Sequence, residues 1–101
     1  MSYFVLRYDE VVDDYVNRRT PFRGDHLRLV REAHARGEVI MAGAVGENPN
    51  GALFIFRSDT AAVAEQFAAH DPYVLNGLVT KWRVREWNTV AGETSINPVK
   101  P

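Results

Sequence analysis

The chain has 101 residues, enough for one compact domain, and its twelve Lys and Arg against thirteen Asp and Glu leave a net charge of -1. That balance excludes an electrostatically driven nucleic-acid binder, which needs a marked basic excess. The absence of cysteine excludes disulfide scaffolds, thiolate metal sites and cysteine nucleophiles. Apolar residues make up 46% and charged residues 25%, the mixture of a folded domain rather than a disordered one. No apolar run has the length of a membrane span, and the chain begins directly on a strand-like segment. Both features predict a cytoplasmic protein that enters no membrane.

Tyr3 to Tyr8 (YFVLRY) is rich in aromatic and branched residues and predicts a first strand, closed by the charged pair Asp9-Glu10. Val11 to Arg19 reads equally as a loop or a short helical turn. Thr20 before Pro21 is a capping pair, and Leu27, Val30, Ala33 and His34 follow at helical spacing until Gly37 stops the helix. Gly24 falls inside this helix and blurs its first turn. Glu38 to Gly46 predicts a second strand, bent near its glycines. Glu47 to Gly51 (ENPNG) is a turn by composition, so Ala52 to Arg57 returns antiparallel. Ser58 or Asp59 caps a second helix with the apolar stripe Val63, Ala64, Phe67 and Ala68, and Pro72 ends it near Asp71. Asn76-Gly77 turns the chain into a last strand, Val79 to Trp87. The domain spans 1–92, and 93–101 form a polar tail with two prolines.

The order strand, helix, strand, strand, helix, strand, with right-handed crossovers, makes each helix join two parallel strands that leave a gap for a third. The result is an α+β, ferredoxin-like βαββαβ domain, a four-stranded antiparallel sheet with both helices on one face. Strands one and three are apolar on both faces, Phe4 and Leu6 against Tyr3 and Val5, Phe54 and Phe56 against Leu53 and Ile55. A sheet with one wet face alternates apolar with polar. A second copy covering the open face, a homodimer, is therefore expected, with Arg7, Arg57, Arg83 and Arg85 at its rim. Trp82 and Trp87, five positions apart, point to opposite faces.

The same topology brings the start of the first helix and the end of the second to one end of the sheet. His26 lies near the first and Asp71 at the second. A carboxylate beside an imidazole fixes its tautomer and balances its charge, a recurrent acid/base arrangement. The alternative is a surface histidine and an aspartate that merely caps a turn. Arg23, three residues before His26, is positioned to hold an anionic substrate oxygen or else is a solvated helix charge. Tyr8 and Tyr73 are placed to line the cleft or to pack. His34 is about 12 Å from His26 along the helix, too far for a shared metal. His70 reads as an exposed histidine at a helix end. No dinucleotide fingerprint, Walker sequence, zinc-protease helix or serine elbow is present.

Arg23-Gly-Asp-His26-Leu27, Gly37, Ala42-Gly43, Ser58, Asp71-Pro72-Tyr73, Gly77-Leu78 and the Trp82 to Trp87 strand, in this order and spacing, resemble the YCII-related (YciI-like) family up to about Gly92. The resemblance implies a dimeric α/β-barrel of ferredoxin-like subunits with an active site at a His-Asp pair, which falls on His26 and Asp71. Where members often carry Gly-Pro after the second strand, this chain has Gly43-Ala44. The expected function is that of a small cofactor-free enzyme acting on a small cyclic or aromatic molecule. In it His26 is the acid or base, Asp71 its orienter, and Arg23, Tyr8 and Tyr73 contact substrate. Elimination, dehydrohalogenation or isomerisation suits this apparatus, and no metal or cofactor is called for. The competing expectations are a non-catalytic ligand-binding module using the same cleft and, by analogy of fold alone, a cofactor-free oxygenase.

Overall fold

The computed structural model describes residues 1–96; the end of the expected tail, 97–101, lies outside the described residues. The elements run β1 (Ser2–Val11), α1 (Tyr15–Arg18), a single 3-10 turn (Thr20–Phe22), α2 (Arg23–Ala35), β2 (Val39–Ala44), β3 (Ala52–Ser58), α3 (Ala62–His70), α4 (Pro72–Leu75) and β4 (Val79–Trp87). The four strands form one antiparallel sheet in the order β2-β3-β1-β4. β3 fills the gap between β1 and β2, and β1 fills the gap between β3 and β4, as two right-handed crossovers require.

The register sorts β1 by parity. Phe4, Leu6 and Tyr8 stand opposite Phe56, Phe54 and Ala52 of β3, and opposite Glu86, Val84 and Trp82 of β4. Leu6, Phe54, Phe56, Ala64, Phe67 and Ala68 are buried together under α2 and α3. Each leucine or phenylalanine among them contributes about 1.5–3 kcal/mol by leaving water, so this layer drives the fold. The expected stripe of α3 supplies Ala64, Phe67 and Ala68 to it. Trp82 packs against this core while Trp87 is half exposed on the other face, as the odd spacing demands.

Three local expectations are corrected. β1 continues to Val11 through an irregularity in its pairing with β4 between Tyr8 and Val11. Thr20 does not cap the long helix: its hydroxyl donates back to the Val16 carbonyl at 3.3 Å, and α2 begins at Arg23 with Phe22 before it. α3 starts at Ala62, where Thr60 rather than Ser58 or Asp59 receives the first free N–H, at 3.3 Å. Gly37 ends α2 in the left-handed region, with φ 80°.

The open face of the sheet carries Tyr3, Val5, Arg7, Leu53, Ile55 and Arg57 from the central strands. Arg7 and Arg57 lie on the central strands, Arg83 and Arg85 on the edge strand β4. Arg85 stands beside Val5 and Arg83 beside Arg7, because β4 has arginine at consecutive open-face positions. Asp9 is ion-paired with both Arg7 (3.3 Å) and Arg83 (3.1 Å), which holds two like charges on adjacent strands. One corner of the face is already covered. Tyr3 is 4% exposed, with Arg57 over its ring, Trp87 beside it and its hydroxyl donating to the Thr94 carbonyl at 2.7 Å. Among the described residues no helix is long and apolar enough to cross a membrane.

Candidate active site

Asp71 does two jobs in the chain. It closes α3, because a residue before proline avoids the helical region and Asp71 sits at φ -69°, ψ 124°. It also opens α4, where its side chain accepts from the Tyr73 N–H at 3.0 Å. The side chain is fully buried. A carboxylate in that position is tolerable only when its oxygens are hydrogen-bonded, and three donors converge on it. Besides Tyr73 N–H, the Tyr8 hydroxyl donates to Oδ2 at 2.5 Å, and His26 Nδ1 lies 2.8 Å from Oδ2 and 2.9 Å from Oδ1.

A carboxylate has only acceptors to offer, so the proton of the neutral His26 ring is on Nδ1 and Nε2 keeps its lone pair. The ring is fixed by more than this bond. It stacks on Tyr73 with centroids 4.0 Å apart and planes 8° from parallel, and the edge of Phe54 meets it at 6.2 Å. His26 is 9% exposed, buried except where it borders a cavity of about 170 Å³. The walls of that cavity are Tyr15, Leu27, Val30, Phe54 and Tyr73, with the Ala42–Ala44 stretch of β2 on the far side and Arg19 and Arg23 at the mouth. An apolar cavity of about 150 Å³ accepts a benzene ring. This one is of similar size, with His26, Arg19 and Arg23 among its lining residues.

The structure thus brings Arg23, His26 and Tyr73 onto one cavity and puts Asp71 directly behind His26. Tyr8 goes elsewhere than expected. Its side chain is buried and its hydroxyl is spent on Asp71, so it braces the carboxylate instead of touching a ligand. Burial first, and the adjacent Asp71 charge second, push its ionisation far above the usual phenol range, so it remains a donor. Burial likewise raises the ionisation of Tyr15 and Tyr73; around Tyr73 the nearby Arg19 and Arg23 charges act against it.

Tyr15 and Arg19 were missed by sequence reading because they lie in the segment left open between loop and helix. The one signal was the short spacing Tyr15 to Arg19 to Arg23, four residues each, which puts all three on one side of a helical path. Arg19 lies over the Tyr15 ring at 5.3 Å. His34 and His70 stay outside the site. Both are exposed, and His70 Nδ1 meets the Gln66 carbonyl at 2.7 Å as a helix-end histidine should. A larger hollow of about 630 Å³ lies on the open face, among Val5, Arg7, Leu53, Ile55, Arg83 and Trp87. It contains no histidine, and the paired acid/base groups are on the opposite side of the sheet.

Comparison with known proteins agrees with this fold. A solved structure with a similar fold is 5-chloro-2-hydroxyhydroquinone dehydrochlorinase (TftG) from Burkholderia phenoliruptrix AC1100, in complex with 2,5-dihydroxybenzoquinone. The similarity has a TM-score of 0.68 at 18% identity, covering 86% of this chain and 93% of that one. No curated protein matches the sequence. The family model of the YCII-related domain matches residues 1–88, which takes in every strand and helix and both members of the His26–Asp71 pair, and the chain belongs to that family.

Proposed function

We propose that the chain is a small acid/base enzyme that eliminates a leaving group from, or isomerises, a small cyclic or aromatic molecule. The observation that carries this is the His26 ring, locked in one tautomer by a buried carboxylate with Nε2 left over for a cavity the size of one ring. His26 Nε2 takes a proton from the bound ring. In an elimination the released electron pair forms the new double bond, the carbon–halogen bond breaks, and halide departs, so that one hydrogen halide is lost. In an isomerisation the same imidazolium returns the proton to another atom. Asp71 balances the imidazolium charge and Tyr8 holds Asp71 in place.

The dehydrochlorinase with the similar fold, whose bound molecule is a dihydroxyquinone, supports a ring of this kind as the substrate class. The acting unit in this reading is a homodimer built through the open sheet face, where Leu53, Trp87 and Met41 leave apolar surface in water. The test is halide release and spectral change with a panel of halogenated hydroquinones, comparing the native chain with His26→Ala. Turnover should fall by about 10²–10⁴-fold in the variant. Ligands that raise the melting temperature without any His26-dependent turnover would replace the enzyme by a binding module.

A further inference from the structure

The mouth of the His26 cavity holds two positive charges that no carboxylate of the described residues answers. Neither the Arg19 nor the Arg23 guanidinium is ion-paired with a carboxylate among the described residues. Their neighbour Arg28, further along α2, has Asp25 and Glu32 beside it. Asp71, the one buried carboxylate nearby, is already occupied by three donors. A second observation points the same way. The Tyr73 side chain lines the cavity and is 1% exposed, yet its hydroxyl has no hydrogen-bond partner among the described residues. A buried hydroxyl without a partner is costly, and the charged groups that act on its ionisation are Arg19 and Arg23, both donors, with the Asp71 carboxylate acting the other way.

We infer that Arg19, Arg23 and the Tyr73 hydroxyl form an anion subsite, and that the ligand is a planar ring bearing an ionised oxygen, a phenolate or the enolate of a hydroxyquinone. Two guanidinium donors and one hydroxyl donor complete the shell of one such oxygen. The size of the cavity, about 170 Å³, matches a single ring, and any larger part of a ligand would have to lie outside it. The ring lies against the apolar wall of Leu27, Val30 and Phe54 while its oxygen meets the mouth. This inference rests on the reading of the His26 cavity as a substrate site. It assigns Arg19, which sequence reading did not single out, a role in choosing the ionised form of the ligand.

The probe is 4-nitrophenol, a single ring whose phenolate has its own visible absorption band, titrated with saturating protein. An opposite charge within about 4–6 Å lowers an acid's pKa by about 1–3 units, so the bound probe should ionise that much below its value in water, a preference for phenolate of about 10–1,000-fold. Arg19→Met and Arg23→Met should each remove about a tenfold part of that preference, and the double variant nearly all of it. Arg19 is only partly buried and Arg23 is exposed, so these variants fold. Tyr73→Phe should weaken phenolate binding several-fold and leave the phenol unaffected. His26→Gln should keep the shift while losing turnover, which separates this inference from the enzymatic one. Failure of 4-nitrophenol to bind saturably, ionisation of the bound probe as in water, or a shift that survives the double arginine variant each overturns the subsite, even if His26-dependent turnover is observed.

Discussion

Replacing Asp71 by Asn changes one atom of the site and removes its logic. The aspartate accepts from Tyr8 OH, His26 Nδ1–H and Tyr73 N–H with no solvent exposure. An amide has one oxygen for these donors, and its NH₂ must face the rest. The Tyr73 N–H is fixed and holds the amide oxygen at the Oδ1 position, so the NH₂ takes the Oδ2 position facing Tyr8 and His26; the phenol can turn and accept one of its hydrogens, and the histidine accepts the other at Nδ1 by moving its proton to Nε2. That puts an N–H where the lone pair stood. Hydrogen bonds to a charged group are worth about 1.5–3 kcal/mol each; the neutral amide is cheaper to bury, which offsets part of the loss. A net destabilisation of about 2–3 kcal/mol follows. For a domain of this size it lowers the melting temperature by about 10–20 °C. Any His26-dependent turnover should drop by about 10⁴-fold, the effect of presenting the wrong tautomer in a comparable histidine–carboxylate pair. The direct assay needs no substrate: nuclear magnetic resonance of isotope-labelled imidazole nitrogens reads the His26 tautomer. A ring still protonated at Nδ1 in Asp71→Asn, or a melting temperature unchanged within about 2 °C, refutes the reasoning.

Tyr8→Phe deletes one donor and leaves the ring in place. It should cost about 1–2 kcal/mol in chemical denaturation and lower turnover less than Asp71→Asn does, because the His26 tautomer survives. A Cβ on Gly51 would meet the Tyr8 carbonyl oxygen at 2.6 Å. Gly51→Ala should therefore destabilise the domain by about 1–3 kcal/mol and, by shifting β1, weaken the Tyr8 to Asp71 bond, read as loss of protection from hydrogen exchange in β1. Tyr8, Tyr15 and Tyr73 all ionise above the ordinary value near 10 when folded. The folded state then holds more protons than the unfolded one above that pH, so stability is full below about pH 10 and falls as pH rises further, by up to about 1.4 kcal/mol per unit for each tyrosine. Melting curves between about pH 8 and 11 should show this, and Tyr8→Phe should flatten the fall.

The strand order was legible because alternation and turn chemistry are local signals. Phe4, Leu6, Phe54 and Phe56 mark one face of β1 and β3, and Asn76-Gly77 and the 47–51 turn mark where the chain reverses. The two halves of the site were legible for a topological reason, since the crossovers force the start of α2 and the end of α3 to one end of the sheet. The segment from Val11 to Phe22 was not legible. Its short helix and 3-10 turn are held by tertiary contacts, Tyr15 edge-on to Tyr73 at 5.8 Å and Arg19 over Tyr15, rather than by any cap or periodic stripe of its own. Four-residue helices have no propensity worth reading. For Tyr8 the sequence left lining the cleft and packing open. Its parity with Phe4 and Leu6 puts it on the core face, but that its hydroxyl is spent on Asp71 depends on a contact 63 residues away in the chain.

The remaining expectation concerns assembly, and the register sharpens it. Apolar residues on the open face, Val5, Leu53 and Ile55, lie toward β3, whereas Arg83 and Arg85 lie on β4. A second copy related by a two-fold axis is disfavoured from stacking β4 on β4, because that sets the arginines of one subunit against those of the other with only Asp9, already shared by Arg7 and Arg83, to answer them. It can set the apolar half of one sheet against its counterpart, with the arginines reaching past the contact. β2 then gains cover for Met41, which is 71% exposed in the single chain. Leu53→Asp places a charge in the middle of that contact, opposite Arg7 on the neighbouring strand of its own sheet, where the monomer tolerates it. Light scattering across a dilution series should give about twice 11.4 kDa for the native chain and about 11.4 kDa for Leu53→Asp, with the helical signal unchanged. A native chain that stays monomeric at micromolar concentration removes the dimer. A Leu53→Asp chain that remains dimeric moves the contact to some surface other than the open sheet face.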